Sequence, residues 1–147
     1  MKKLEFKIEI NADKKKVWDT MFNPVTYKKW VNVSWPGSYF DGVWKEGADM
    51  KFLSSAGGGT MANLEKYKPH ELVFAKHVAV LNGDGTEDRD SELAKGWIGS
   101  TEAYTLTEQN HKTELKVEIQ TKPEWEKMFS DGWPAALAEL KKLAEKN

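Results

Sequence analysis

The stretch Lys112-Thr113-Glu114-Leu115-Lys116-Val117-Glu118-Ile119-Gln120-Thr121 changes character at every step. Leu115, Val117 and Ile119 fall on one face, and Glu114, Lys116, Glu118 and Gln120 on the other, the period-two pattern of a half-buried strand. Beyond it the period changes. Trp133, Leu137, Leu140 and Ala144 recur at helical spacing with Leu143 beside them, while Glu139, Lys142, Glu145 and Lys146 lie on or near the opposite side. In between, Glu124 to Phe129 is helix-like after Pro123, and Asp131-Gly132-Trp133-Pro134 should kink or interrupt the helix, because Pro134 cannot donate a backbone hydrogen bond. A strand with one apolar face and a helix with one apolar stripe each need a partner to cover them.

The rest of the chain supplies that partner. Near the N-terminus Leu4, Phe6, Ile8 and Ile10 alternate with Lys3, Glu5, Lys7 and Glu9, predicting another half-buried strand. Asn11-Ala12-Asp13 offers helix caps, and the i,i+4 pairs Val17/Met21 and Trp18/Phe22 make residues 13–22 a short amphipathic helix. Asn23-Pro24 ends it and opens a second short helix finishing near Trp30. Residues 31–38 read as a loop around Ser34-Trp35-Pro36-Gly37. Strands are expected at 39–45, 49–55, 60–68, 72–81, 97–108 and 112–121, with a long loop at 82–96. The short breaks between most of them favour antiparallel hairpins. One strand, two short helices, six strands and a long helix give an α+β domain, with a seven-stranded antiparallel sheet against the C-terminal helix.

Composition narrows the function. The chain has 147 residues, the length of one domain, so residues 1–147 are read as a single unit. Lys plus Arg is 22 and Asp plus Glu is 23; a net charge of −1 argues against a dedicated nucleic-acid binder. With no cysteine there is no disulfide, thiol nucleophile or thiolate metal site. No apolar run approaches the roughly 18 residues of a spanning helix, and the N-terminus lacks the apolar core of a signal peptide, so a cytoplasmic location is expected. Seven Trp, six Phe and four Tyr coexist with a mean hydropathy of −0.67, which places an aromatic interior inside a charged surface.

The element order resembles the helix-grip fold of the START and Bet v 1 superfamily. Ile10-Asn11-Ala12, Val17-Trp18, Asn23-Pro24 and Trp30 resemble the opening of the family named after the activator of Hsp90 ATPase. Gly132-Trp133-Pro134 with Leu137 and Leu140 resembles its ending, and Glu102-Ala103-Tyr104-Thr105-Leu106 its penultimate strand. The resemblance runs nearly end to end and implies a curved sheet gripping the long helix, commonly around a cavity. Its superfamily includes lipid and steroid carriers, hormone receptors and polyketide cyclases. The eukaryotic namesake also carries a separate chaperone-contacting domain that these residues do not match, so Hsp90 activation does not carry over.

Candidate ligand-binding residues follow from that cavity. Trp30, Trp35, Phe40, Trp44, Phe52, Trp97, Tyr104 and Trp133 are aromatics able to line it, or else to fill an ordinary core. Trp18 and Trp125 are assigned to packing between elements. Glu102 shares a strand face with Ser100, Tyr104 and Leu106, so if Leu106 points inward the carboxylate does too. There it orients a ligand, acts as an acid or base, or is a paired structural group. His77, on a strand whose other face carries Leu72, Phe74, Val78 and Val80, is expected to face water, and His70 and His111 fall at turns.

Three motifs are set aside. Gly57-Gly58-Gly59 leads to a strand and lacks the Lys-Ser/Thr and helix of a phosphate loop. The acidic run Asn82 to Glu92 places Glu87 where a calcium loop needs glycine, and reads as a solvated loop able to lie over one end of the cavity. Lys14-Lys15-Lys16 reads as a solvated face. No metal ligands and no cofactor are expected. The leading expectation is a binder of a small apolar or aromatic molecule, a lipid, sterol or polyketide-like compound. A protein-interaction module of co-chaperone type and a cyclase- or hydrolase-type enzyme on the same scaffold are the alternatives.

Overall fold

Leu4, Phe6 and Ile8 stand directly opposite Ile119, Val117 and Leu115 in an antiparallel ladder. That register joins β1 (Lys2–Ile10) to β8 (Lys112–Thr121) with both apolar faces on the same side. In the computed structural model, which describes residues 1–55 and 57–146, the other strands are β2 (Ser38–Asp41), β3 (Asp49–Ser54), β4 (Gly59–Lys68), β5 (Leu72–Leu81), β6 (Glu87–Asp88) and β7 (Thr101–Gln109). Seven of them form one antiparallel sheet in the order β1-β8-β7-β5-β4-β3-β2, and the two-residue β6 pairs with the end of β5. Register shifts in β4 between Met61 and Ala62 and between Leu64 and Lys66 bend the strand.

Two short helices follow β1, as expected. Asp13 caps α1 (Lys14–Phe22) by accepting from the Lys16 N–H at 2.8 Å. Asn23 caps α2 (Pro24–Val31) by accepting from the Val25 N–H at 2.9 Å, with Pro24 in the first turn where its missing donor costs nothing. Lys15 pairs with Asp19 at 2.7 Å and Lys14 with Glu71 at 3.7 Å, so the lysine run is a solvated face.

The long helix α4 (Glu126–Ala144) packs against β1, α1 and α2. Phe129, Trp133, Leu137, Leu140 and Ala144 are its buried stripe. Pro134 does not interrupt it: one helix runs through, preceded by a single 3-10 turn at Pro123–Trp125, and Pro134 itself is exposed. Gly132 explains the local sequence. A Cβ there would lie 2.6 Å from Cζ2 of Trp35, so only glycine admits that ring against the helix. The Gly132 carbonyl in turn accepts a 2.6 Å hydrogen bond from the Ser34 hydroxyl. The helix end is pinned to the strand side by Lys141 Nζ, which donates to the Glu9 carbonyl at 2.9 Å, and by Glu145, which accepts from the Asn11 N–H at 2.7 Å.

A curved antiparallel sheet gripping a long C-terminal helix, with two short helices after the first strand, is the helix-grip arrangement. Four local expectations are corrected. The strand expected at 39–45 stops at Asp41, and Trp44 lies in the irregular segment beyond it. The strand expected from Trp97 begins at Thr101, because Trp97 closes a short helix, α3 (Glu92–Trp97). The expected loop at 82–96 therefore contains β6 and α3. Asp88 accepts from the N–H groups of Asp90 and Ser91, and the Ser91 hydroxyl caps α3 by accepting from Ala94 at 3.1 Å. The faces of β5 are also reversed. Val73, Ala75, His77, Ala79 and Leu81 are the buried set, so His77 points inward and not to water. Among the described residues no helix is long and apolar enough to cross a membrane.

Candidate functional site

Strand alternation delivers Ser100, Glu102, Tyr104 and Leu106 to the concave side, with Leu106 4% exposed and Tyr104 7%. Ala75 lies opposite Glu102, and His77 is two residues further along the same face of β5. These three polar groups meet at the wall of a partly open cavity of about 400 Å³ between the sheet, α2 and the first half of α4. Tyr104 Oη donates to Glu102 Oε2 at 2.5 Å, and His77 Nε2 lies 3.4 Å from Glu102 Oε1. The His77 side chain is 3% exposed and that of Glu102 is 17% exposed, so Glu102 is the more accessible of these two.

Two effects oppose each other on Glu102. Burial pushes its pKa up. The hydrogen bond and charge of His77, with the Tyr104 hydroxyl, outweigh burial and hold the carboxyl below the ordinary glutamate value. Burial raises the Tyr104 phenol well above its ordinary value, and the Glu102 charge and hydrogen bond add to that. Tyr27, also on the wall, is raised by burial and then by the Glu102 charge. At neutral pH the cluster is an ionised acceptor surrounded by protonated phenols.

Much of the remaining wall is aromatic. Trp30, Trp35, Phe52, Trp97 and Trp133 line it with Glu102 and Tyr104. Trp133 is the hub: its ring centre lies 5.4 Å from Trp35, 5.8 Å from Tyr104, 5.9 Å from Trp30 and 6.3 Å from Phe6. Trp97 packs edge-on to His77 at 5.0 Å and stacks on Phe129 at 5.9 Å. Phe40 and Trp44 stand behind this wall. Trp44 folds onto Phe22 at 4.4 Å and Phe40 at 5.3 Å, and Phe40 onto Tyr27 at 4.9 Å, in an aromatic layer that backs the wall at Tyr27 and Phe52. Trp18 packs on Phe22 and Tyr67, and Trp125 on Trp97.

Several lining residues had no advance reading. Phe129 is four residues before Trp133 and so continues the helical stripe, a spacing that could have found it. Tyr27, Ser38, Tyr39 and Thr60 depend on the packing of α2 and on the β2–β4 register, which no local pattern reveals. Among the described residues, no lysine or arginine lines the cavity. The indole N–H groups of Trp97 and Trp133 have no hydrogen-bond partner there within the protein, and neither has Nδ1 of His77. The acidic segment after β5 satisfies itself: Asp84 accepts from the Thr86 N–H and hydroxyl, and Asp88 from Ser91.

Residues 11–145 match the model of the family described as activator of Hsp90 ATPase homolog 1-like protein. The chain belongs to this family. Solved structures agree on the fold. The Aha1 dimer from Colwellia psychrerythraea superposes with a TM-score of 0.74 at 19% identity, covering 99% of this chain and 97% of that one. Protein MLL2253 from Mesorhizobium loti gives 0.73 at 16% identity over 97% and 96% of the two chains. CalU16 from Micromonospora echinospora gives 0.67 at 15% identity over 97% of this chain and 75% of that one. Identities this low establish a shared architecture, and the wall residues of this family member must be read on their own chemistry. A search of curated proteins finds no match to the sequence.

Proposed function

We propose that this domain binds a small apolar or aromatic molecule in the cavity beneath α4. The observation that carries the reading is the combination of an aromatic-rich wall with a half-buried, hydrogen-bonded carboxylate at Glu102. Burying ring surface supplies the driving force at about 25 cal/mol per Å². The polar cluster fixes orientation, as in ligand pockets generally. A volume of about 400 Å³ lies at the small end of the roughly 300–1,000 Å³ typical of such sites. That favours compact ring systems of polyketide type over sterols and long-chain lipids.

A second reading, an acid–base enzyme, draws on the convergence of Glu102, His77 and Tyr104 within hydrogen-bonding reach. Its weakness is chemical. A carboxylate held below its ordinary pKa with both oxygens already engaged is a poor proton acceptor near neutral pH. Binding is therefore the better-supported function.

The test is 15N–1H NMR on labelled protein against lipids, sterols, flavonoids and other aromatics. Saturable shifts clustered on β7 and α4 are expected. A diverse panel that shifts nothing would overturn the proposal. For the second reading, any ligand found is held with the protein in D2O. Deuterium exchange at an acidic C–H, lost in Glu102→Gln, would move the domain to the enzymes.

A further inference from the structure

We infer that the cavity selects a neutral or cationic aromatic carrying a hydrogen-bond donor at its inner end, such as a phenol or an aromatic amine, and rejects carboxylates there; this rests on the cavity-binding reading above. An ionised carboxylate accepts and never donates, and it has about four lone-pair sites. In Glu102 one is engaged by Tyr104 and one faces His77. The Glu102 side chain is 17% exposed and lines the cavity, so lone pairs remain for an occupant that brings its own proton.

An anionic occupant is offered no lysine or arginine at this end among the described residues. The His77 side chain is 3% exposed with Nε2 turned to Glu102, so that nitrogen is already matched to a carboxylate. Lys28 lies over the ring of Tyr39, 5.9 Å from its centre, but is itself exposed and not part of the wall. Placing a second negative charge beside Glu102 in an aromatic-lined cavity is costly. The indole N–H groups of Trp97 and Trp133 are buried, unpartnered donors on residues of the same wall. A phenolic hydroxyl can donate to the carboxylate, whereas a bare hydrocarbon cannot.

Three ligands of matched ring and different polarity test this: 2-naphthol, 2-methylnaphthalene and 2-naphthoate, titrated by NMR against the full chain. The expected result is 2-naphthol binding at least about tenfold tighter than 2-methylnaphthalene, the value of one hydrogen bond to a charged group. Naphthoate should bind no better than the hydrocarbon. In Glu102→Gln the preference for naphthol over naphthoate should collapse. Equal affinity for naphthol and methylnaphthalene, or naphthoate as the tightest of the three, overturns the selectivity while leaving a cavity binder standing. Binding by none of the three, with the wider panel also silent, removes the cavity reading and the selectivity together. The wild-type series decides the selectivity even if Glu102→Gln does not fold.

Discussion

Tyr104 donates its phenolic proton to Glu102 across 2.5 Å, from a position two residues further along the same strand face. A strand places residues i and i+2 side by side, so alternation alone delivers both groups to the cavity. His77, from the neighbouring strand, completes the cluster. The pair makes an ionised carboxylate stable where burial would otherwise neutralise it.

That balance has a pH consequence. Glu102 has a folded pKa below the ordinary value of 4.5, so its ionised form contributes stability that is fully present above 4.5 and is lost as pH falls through the folded pKa. Glu102→Gln lacks this contribution. Urea denaturation between about pH 7 and pH 3 should show the stability advantage of wild type over the variant shrinking toward acid. Other depressed carboxylates, such as Glu118 and Glu145, are present in both proteins and cancel in the difference. An advantage that grows toward acid would mean that burial wins and that the cluster holds a neutral acid.

Trp133 is 3% exposed and touches four aromatic rings, so its removal leaves a void that rigid neighbours cannot close. Trp133→Ala should cost about 3–5 kcal/mol in urea denaturation. A cost below about 1 kcal/mol would contradict the assignment of this ring as the hub of the core.

Gly132→Ala sets two effects against each other. In a helix interior alanine gains up to about 1 kcal/mol over glycine. Its Cβ, however, would lie 2.6 Å from Trp35, and overpacking of this kind costs about 1–3 kcal/mol. Net destabilisation is expected, together with a shifted Trp35 indole resonance. A raised melting temperature with Trp35 unmoved would mean that this ring is not seated on α4.

Where one face of an element is charged, the sequence is readable. Alternation in β1 and β8 and the stripe of α4 specify which side is buried, and the parity of Leu106 orients Glu102 correctly. β5 defeats the same argument because both of its faces are apolar. Leu72 and Phe74 are the bulkier set, yet they lie half-buried on the outer side near Lys3 and Lys66, while small Ala75 and Ala79 line the inner side. Hence His77 reads as exposed and proves to be buried. Trp44 fails for another reason: it reads as part of a strand but sits in an irregular segment, and its ring is placed by Phe22, distant in sequence, and by Phe40 four residues before it. The missed α3 had a local signal in Ser91 followed by Leu93 and Trp97 at a spacing of four, obscured by the acidic residues around it. What no periodicity encodes is the gap between sheet and helix, since it depends on sheet curvature.

Intermolecular NOEs report whether a small aromatic molecule occupies the space between Glu102 and α4. With 2-naphthol near saturation, NOEs are expected from its ring protons to Trp97, Phe129 and Trp133. NOEs confined to Leu72 and Phe74 on the outer face of the sheet, or saturable binding that leaves those three rings untouched, would contradict it.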